Sequence, residues 1–70
     1  MDLKVTVGGN IMKRRKELGY SQESLAEITG LDRTYVQSIE AGKRNISIQV
    51  LYTISIALKI EIADLFKDCK

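Results

Sequence analysis

The sequence predicts an all-α protein, a compact bundle of five short helices, on three observations. Its 70 residues are 44% hydrophobic and 29% charged and include no proline, and the Ile and Leu residues recur at helical spacing. Helix-starting residues (Thr6, Ser21, Asp32, Ser47) alternate along the chain with helix-stopping glycines (Gly19, Gly30, Gly42). Finally, SQESLAEITGLDRTYVQSIEAGKRN, residues 21–45, reads as two amphipathic helices joined by a glycine turn, with a basic segment directly behind them. Residues 1–70 form a single domain, near the size at which one core only just offsets a chain entropy of about 1.5 kcal/mol per ordered residue. A partner chain would help it.

The first helix follows Thr6, a candidate N-cap, because Val7, Ile11 and Leu18 recur at helical spacing with Met12 beside them. Gly8 and Gly9 weaken that start, each by about 1 kcal/mol relative to alanine. The run KRRK at 13–16 points around nearly a full turn, so it reads as a mostly solvated face rather than one nucleic-acid patch. Gly19 ends the helix. Ser21 opens the second, with Leu25 and Ile28 inward, and Gly30 supplies the sharp turn with the apolar Leu31 inside it. Asp32 caps the third helix, RTYVQSIEAG, in which Val36 and Ile39 share one face while Arg33, Thr34, Gln37 and Ser38 occupy the other. Ser47 caps a fourth helix with a buried stripe of Val50, Leu51, Ile54 and Leu58, widened by Ile48, Ile56 and Ala57. The last helix, about 61–67, carries Ile62, Leu65 and Phe66 on one side. They are either core or a patch pairing two chains, with the second preferred.

Net charge is only +2. Its distribution says more: residues 1–45 carry eight Lys/Arg against six acids, and residues 46–70 three against three. The longest apolar runs fall well short of the roughly 18–20 residues that span a bilayer, and MDLKVTV is too short and too acidic for a signal peptide. The expectation is a soluble, cytoplasmic protein. Cys69 is the sole cysteine and there is no histidine, so Cys69 reads as an incidental thiol and no metal is expected. No base, phosphate-cradling loop or acid pair accompanies the serines, so no catalytic residue, cofactor or small-molecule ligand is assigned.

The outward polar face of the third helix points instead to DNA. Arg33 to Glu40 spans about 12 Å at 1.5 Å per residue, which suits a major groove roughly 12 Å wide. The spacing of Gln22, Ala26, Gly30, Val36 and Ile39 resembles the helix-turn-helix of the phage repressor and Cro family, the xenobiotic-response-element type, over roughly residues 6–66. It implies a lambda-repressor-like bundle with the motif in helices 2 and 3. Thr29 departs from the family, which has an apolar residue there. More narrowly, LDRTYVQSIEAGKRN resembles the controller proteins of restriction-modification systems, homodimers that bind paired operators and activate at low occupancy and repress at high.

By that resemblance Arg33, Thr34, Gln37 and Ser38 contact bases, Arg33 foremost because arginine bonds guanine O6 and N7 together. Gln22, Tyr35, Lys43, Arg44 and Asn45 contact the DNA backbone. Arg15 and Glu40 match positions that form an internal ion pair in phage repressors, so both are assigned to structure. The implied partners are a double-stranded DNA operator and a second copy of the chain. The competing reading is an antitoxin-type module that masks a toxin and regulates its own operon. Such antitoxins carry an extra toxin-capture segment, which is not expected in a chain ending at Lys70.

Overall fold

Side chains that accept backbone N–H groups at the helix starts set most of the architecture. A computed structural model describes residues 2–67, so Cys69 lies outside the described residues. Asp2 caps α1 (Leu3–Glu17), its carboxylate accepting the Lys4 N–H at 3.0 Å. Thr6, the expected cap, therefore sits inside this helix. Leu3 and Val5 in the first turn are both exposed, and a turn without a buried stripe leaves no periodic signal. Ser21 caps α2 (Gln22–Thr29) by accepting from Ser24 N–H at 2.9 Å. Ser47 caps α4 (Ile48–Ala57) by accepting from Val50 N–H at 3.2 Å. Asp32 occupies the N-cap position of α3 (Arg33–Glu40), yet its side chain makes no cap hydrogen bond.

The last element among the described residues is a 3₁₀ helix, Ile62–Phe66, so they form four α-helices and a 3₁₀ turn where five helices were expected. Asp64 accepts the Glu61 N–H at 3.0 Å and pairs with Lys67 Nζ at 2.7 Å. The Lys67 hydrogen bond, then that from Glu61, holds the Asp64 carboxyl below its ordinary range.

The core is built from Val7, Ile11, Leu25, Ala26, Val36, Ile39, Leu51, Ile54, Leu58 and Leu65. α1 lies against α3 and the 3₁₀ helix, and α2 packs on both α3 and α4. Each fully buried aliphatic side chain contributes about 1.5–3 kcal/mol. Three expected core residues face outward instead: Ile28, Ile48 and Ile56 are 52%, 78% and 58% exposed. α4 is apolar nearly all round, so its sequence does not say which face the other helices cover. Ser55 is buried on the covered face, its hydroxyl donating to the Tyr52 carbonyl at 2.7 Å. Leu65 is fully buried in its own chain and is therefore core, not a contact available to a partner; Phe66 is exposed and Ile62 half-buried.

Gly8 is a packing residue more than a weakness in α1. A Cβ there would overlap the Ile39 carbonyl oxygen and lie 3.0 Å from that of Glu40, so only glycine lets α1 cross the end of α3 so closely. The KRRK run divides among separate tasks. Arg14 Nε donates to the Leu58 carbonyl at 3.0 Å, closing the C-terminus of α4, while Arg15 turns inward and Lys13 and Lys16 are exposed. Asn10 Nδ2 donates to the Leu65 carbonyl at 2.9 Å and also to that of Lys67, tying the 3₁₀ helix to α1. Among the described residues no helix is long and apolar enough to cross a membrane, and no group of three His, Cys, Asp or Glu could hold a metal ion.

Candidate nucleic-acid interface

α2 and α3 are joined by a tight turn made possible by Gly30 at φ 75°, a left-handed conformation costly for other residues. The turn closes through the Leu31 N–H, which donates to the Ala26 carbonyl at 3.0 Å. Ala26 is 5% exposed, and its small side chain admits α3 alongside α2. Thr29, the departure from the phage repressor pattern, keeps its hydroxyl satisfied by donating to the Leu25 carbonyl at 2.7 Å.

α3 is thereby divided lengthwise. Val36 and Ile39, each 1% exposed, fix its inner face to the core. Arg33, Thr34 and Gln37 lie together on the exposed face. Ser38 is half-buried, and its hydroxyl donates to the Thr34 carbonyl at 3.1 Å, leaving its lone pairs as acceptors. No carboxylate among the described residues pairs with Arg33, so its five donors are open to an outside acceptor.

The far end of α3 is held by a buried ion pair. Arg15 Nε and Nη2 donate to the two carboxylate oxygens of Glu40 at 2.7 and 3.0 Å, with side chains only 9% and 1% exposed. Arg15 Nη1 also donates to the Tyr20 carbonyl at 2.8 Å, and Gln22 Nε2 donates to Glu40 Oε1 at 3.0 Å. One carboxylate thus joins α1, α2 and α3, with both charges compensated in a geometry that favours the bidentate guanidinium. The Gln22 bond is an addition to the sequence reading, which turned that side chain wholly toward DNA. One amide hydrogen is committed inward; the Gln22 and Glu23 N–H groups, ahead of the one Ser21 caps, remain at the open start of α2.

Behind α3, Lys43, Arg44 and Asn45 are exposed on the connecting loop, and the Arg44 guanidinium lies 4.9 Å from the centre of the half-buried Tyr35 ring. This cation–π contact braces the loop against α3. Asp32, Tyr35, Lys43, Arg44 and Asn45 line one open depression beside the start of α3. The structure thus gathers the expected base-facing residues on one helix face and the basic loop residues beside it. Ile62, Leu65 and Phe66 do not form one exposed set, as Leu65 is enclosed. The role of Arg14 at α4 was missed, and its place within KRRK gave no sign of it.

The family described as Helix-turn-helix matches residues 11–65. The chain belongs to the helix-turn-helix family. Among relatives, it is 48% identical to the control protein C.MunI from a Mycoplasma species, over 96% of this chain and 92% of that one. Among solved structures, this helix-turn-helix chain resembles the restriction-modification controller protein C.AhdI from Aeromonas hydrophila. The TM-score is 0.87 at 41% identity, covering 90% of this chain and 96% of that one. It also resembles SinR, a master regulator for biofilm formation solved in complex with DNA, with TM-score 0.83 at 39% identity over 87% and 98% of the two chains.

Proposed function

We propose that this chain is the controller protein of a restriction-modification system, a transcriptional regulator that binds a pseudo-palindromic DNA operator as a homodimer. The observation that carries the reading is the exposed face of α3, with Arg33, Thr34 and Gln37 unobstructed on a helix anchored from within. Similarity to the control protein C.MunI and the controller C.AhdI supports the restriction-modification setting over the antitoxin alternative. That SinR is solved with DNA supports DNA as the ligand. Arg33, Thr34, Gln37 and Ser38 read base edges, and Gln22, Tyr35, Lys43, Arg44 and Asn45 hold phosphates and fix the register. The setting is the cytoplasm, on the nucleoid.

Dimerisation is supported by apolar surface close to the DNA-facing loop. Leu3, Ile48 and Phe66 are exposed around a hollow of about 260 Å³ also lined by Arg44 and Asn45. A second copy seated there would bring the two loops near the twofold axis, and the segment at about 61–67 would contribute through Phe66 and the edge of Ile62. Two recognition helices would then enter successive major grooves about 34 Å apart.

Selection from random DNA with the purified protein tests this. The expected result is a site with two half-sites about one helical turn apart, bound more weakly as salt rises. Arg33→Ala should lose preference at one base position per half-site, worth about 1–3 kcal/mol, while weak general binding remains. Failure to enrich any sequence with the wild-type protein would refute the reading.

A further inference from the structure

Among the described residues, three of the four α-helices begin with a side chain that accepts a backbone N–H: Asp2 at 3.0 Å, Ser21 at 2.9 Å and Ser47 at 3.2 Å. Asp32 is the exception. Its backbone has the N-cap conformation, φ −72° and ψ 141°, and aspartate is among the best N-caps, yet the carboxylate forgoes that bond. The residue is exposed, and no lysine or arginine among the described residues pairs with it. It lines the depression shared with Lys43, Arg44 and Asn45, immediately before Arg33. A bare carboxylate on a surface otherwise arranged to receive phosphates weakens general DNA binding by charge repulsion. That cost is offset only where the carboxylate meets a hydrogen-bond donor on the DNA.

The base edges in the major groove offer two such donors, the exocyclic amines of cytosine and adenine. Adenine sets its amine beside the N7 acceptor, which repels an ionised carboxylate and suits an amide instead. Cytosine presents the amine without N7, and an acceptor-only side chain matches it. The N-terminal residues of a recognition helix are the ones that approach base edges, which places Asp32 with Arg33 at that end of α3.

We propose that Asp32 is a specificity-determining residue, accepting a hydrogen bond from the N4 amine of a cytosine next to, or paired with, the guanine read by Arg33. The proposal rests on the regulator reading above. It makes the pair Asp32–Arg33 a reader of G·C content at one step of each half-site, with arginine supplying donors and aspartate an acceptor. It also makes Asp32 a filter, since any base without an amine at that point leaves the carboxylate desolvated and unpaired beside the DNA.

The test compares wild type, Asp32→Ala and Asp32→Gly on the site selected by the wild-type protein, with every base varied at each position. Asp32→Ala should flatten a cytosine preference of about tenfold at one position per half-site and leave the other positions unchanged. Asp32→Gly, which keeps a favourable N-cap residue but has no acceptor, should not recover that preference. Replacing this cytosine with an analogue lacking the 4-amino group should weaken wild-type binding about tenfold and leave Asp32→Ala binding unchanged. Should Asp32→Ala bind more tightly to all sequences with the same preferences, the residue acts through charge alone and the proposal falls. Recovery of the preference by Asp32→Gly, which has no side-chain acceptor, would assign Asp32 to the helix start and overturn the proposal equally. A wild-type protein that enriches no site would instead refute the regulator reading, and this proposal with it.

Discussion

Replacing Glu40 with alanine removes the acceptor on which three helices converge. Arg15 would lose both donors to the carboxylate, at 2.7 and 3.0 Å, and keep only its bond to the Tyr20 carbonyl at 2.8 Å. Gln22 would lose its 3.0 Å bond as well. Because the Arg15 side chain is 9% exposed, water cannot readily replace those partners. Removing one member of a buried pair costs about 3–5 kcal/mol, the main part being the uncompensated charge that remains. A domain of this size has a total stability of only about 4–10 kcal/mol. At about 4–8 °C per kcal/mol, Glu40→Ala should lower Tm by at least about 12 °C in a thermal melt followed by circular dichroism. Replacing both partners, Arg15→Met with Glu40→Leu, should recover much of the loss, since no charge is then buried. Recovery would be incomplete because the Tyr20 carbonyl and Gln22 amide lose their partners. A Tm for Glu40→Ala within about 3 °C of wild type, under the same scaling, would refute the view that this pair is buried and closely coupled.

Two further substitutions probe the packing. Gly8→Ala should destabilise by about 1–3 kcal/mol despite alanine's better helix propensity, because the new methyl meets the backbone carbonyl of Ile39; a urea melt showing a gain in stability would contradict that close approach. Lys59 follows the end of α4 at φ 61°, where glycine carries no steric penalty. Lys59→Gly should therefore gain about 0.5–1 kcal/mol, read as a Tm rise of roughly 2–8 °C, and a lower Tm would contradict the left-handed assignment.

The parts of the fold legible in the sequence are those fixed by local chemistry. Ser21, Gly30, Ser47 and the Val36–Ile39 pair announce α2, α3, their turn and the start of α4, because each acts within one or two helical turns. The start of α1 was misplaced because its first apolar residues are exposed and its true cap is Asp2. Ile28, Ile48 and Ile56 were misassigned because hydrophobicity says nothing of which face the rest of the chain will cover. Leu65 shows the converse, a core residue in a segment that reads equally well as a docking patch. Within the candidate site, the exposed row on α3 follows from helical periodicity once the inner face is known. Neither Gln22 bonding to Glu40 nor Arg14 closing α4 has a local signature, since the partners lie 18 and 44 positions away.

The lengthwise division of α3 has an evolutionary consequence. Val36, Ile39 and Glu40 maintain the fold while Arg33, Thr34 and Gln37 contribute little to it, so the outward positions can change without a large loss of stability. Gene duplication followed by substitutions at those few sites could then generate paralogues that ignore one another's targets. Two such systems could coexist in one cell without cross-talk, separated by side chains on barely two turns of helix.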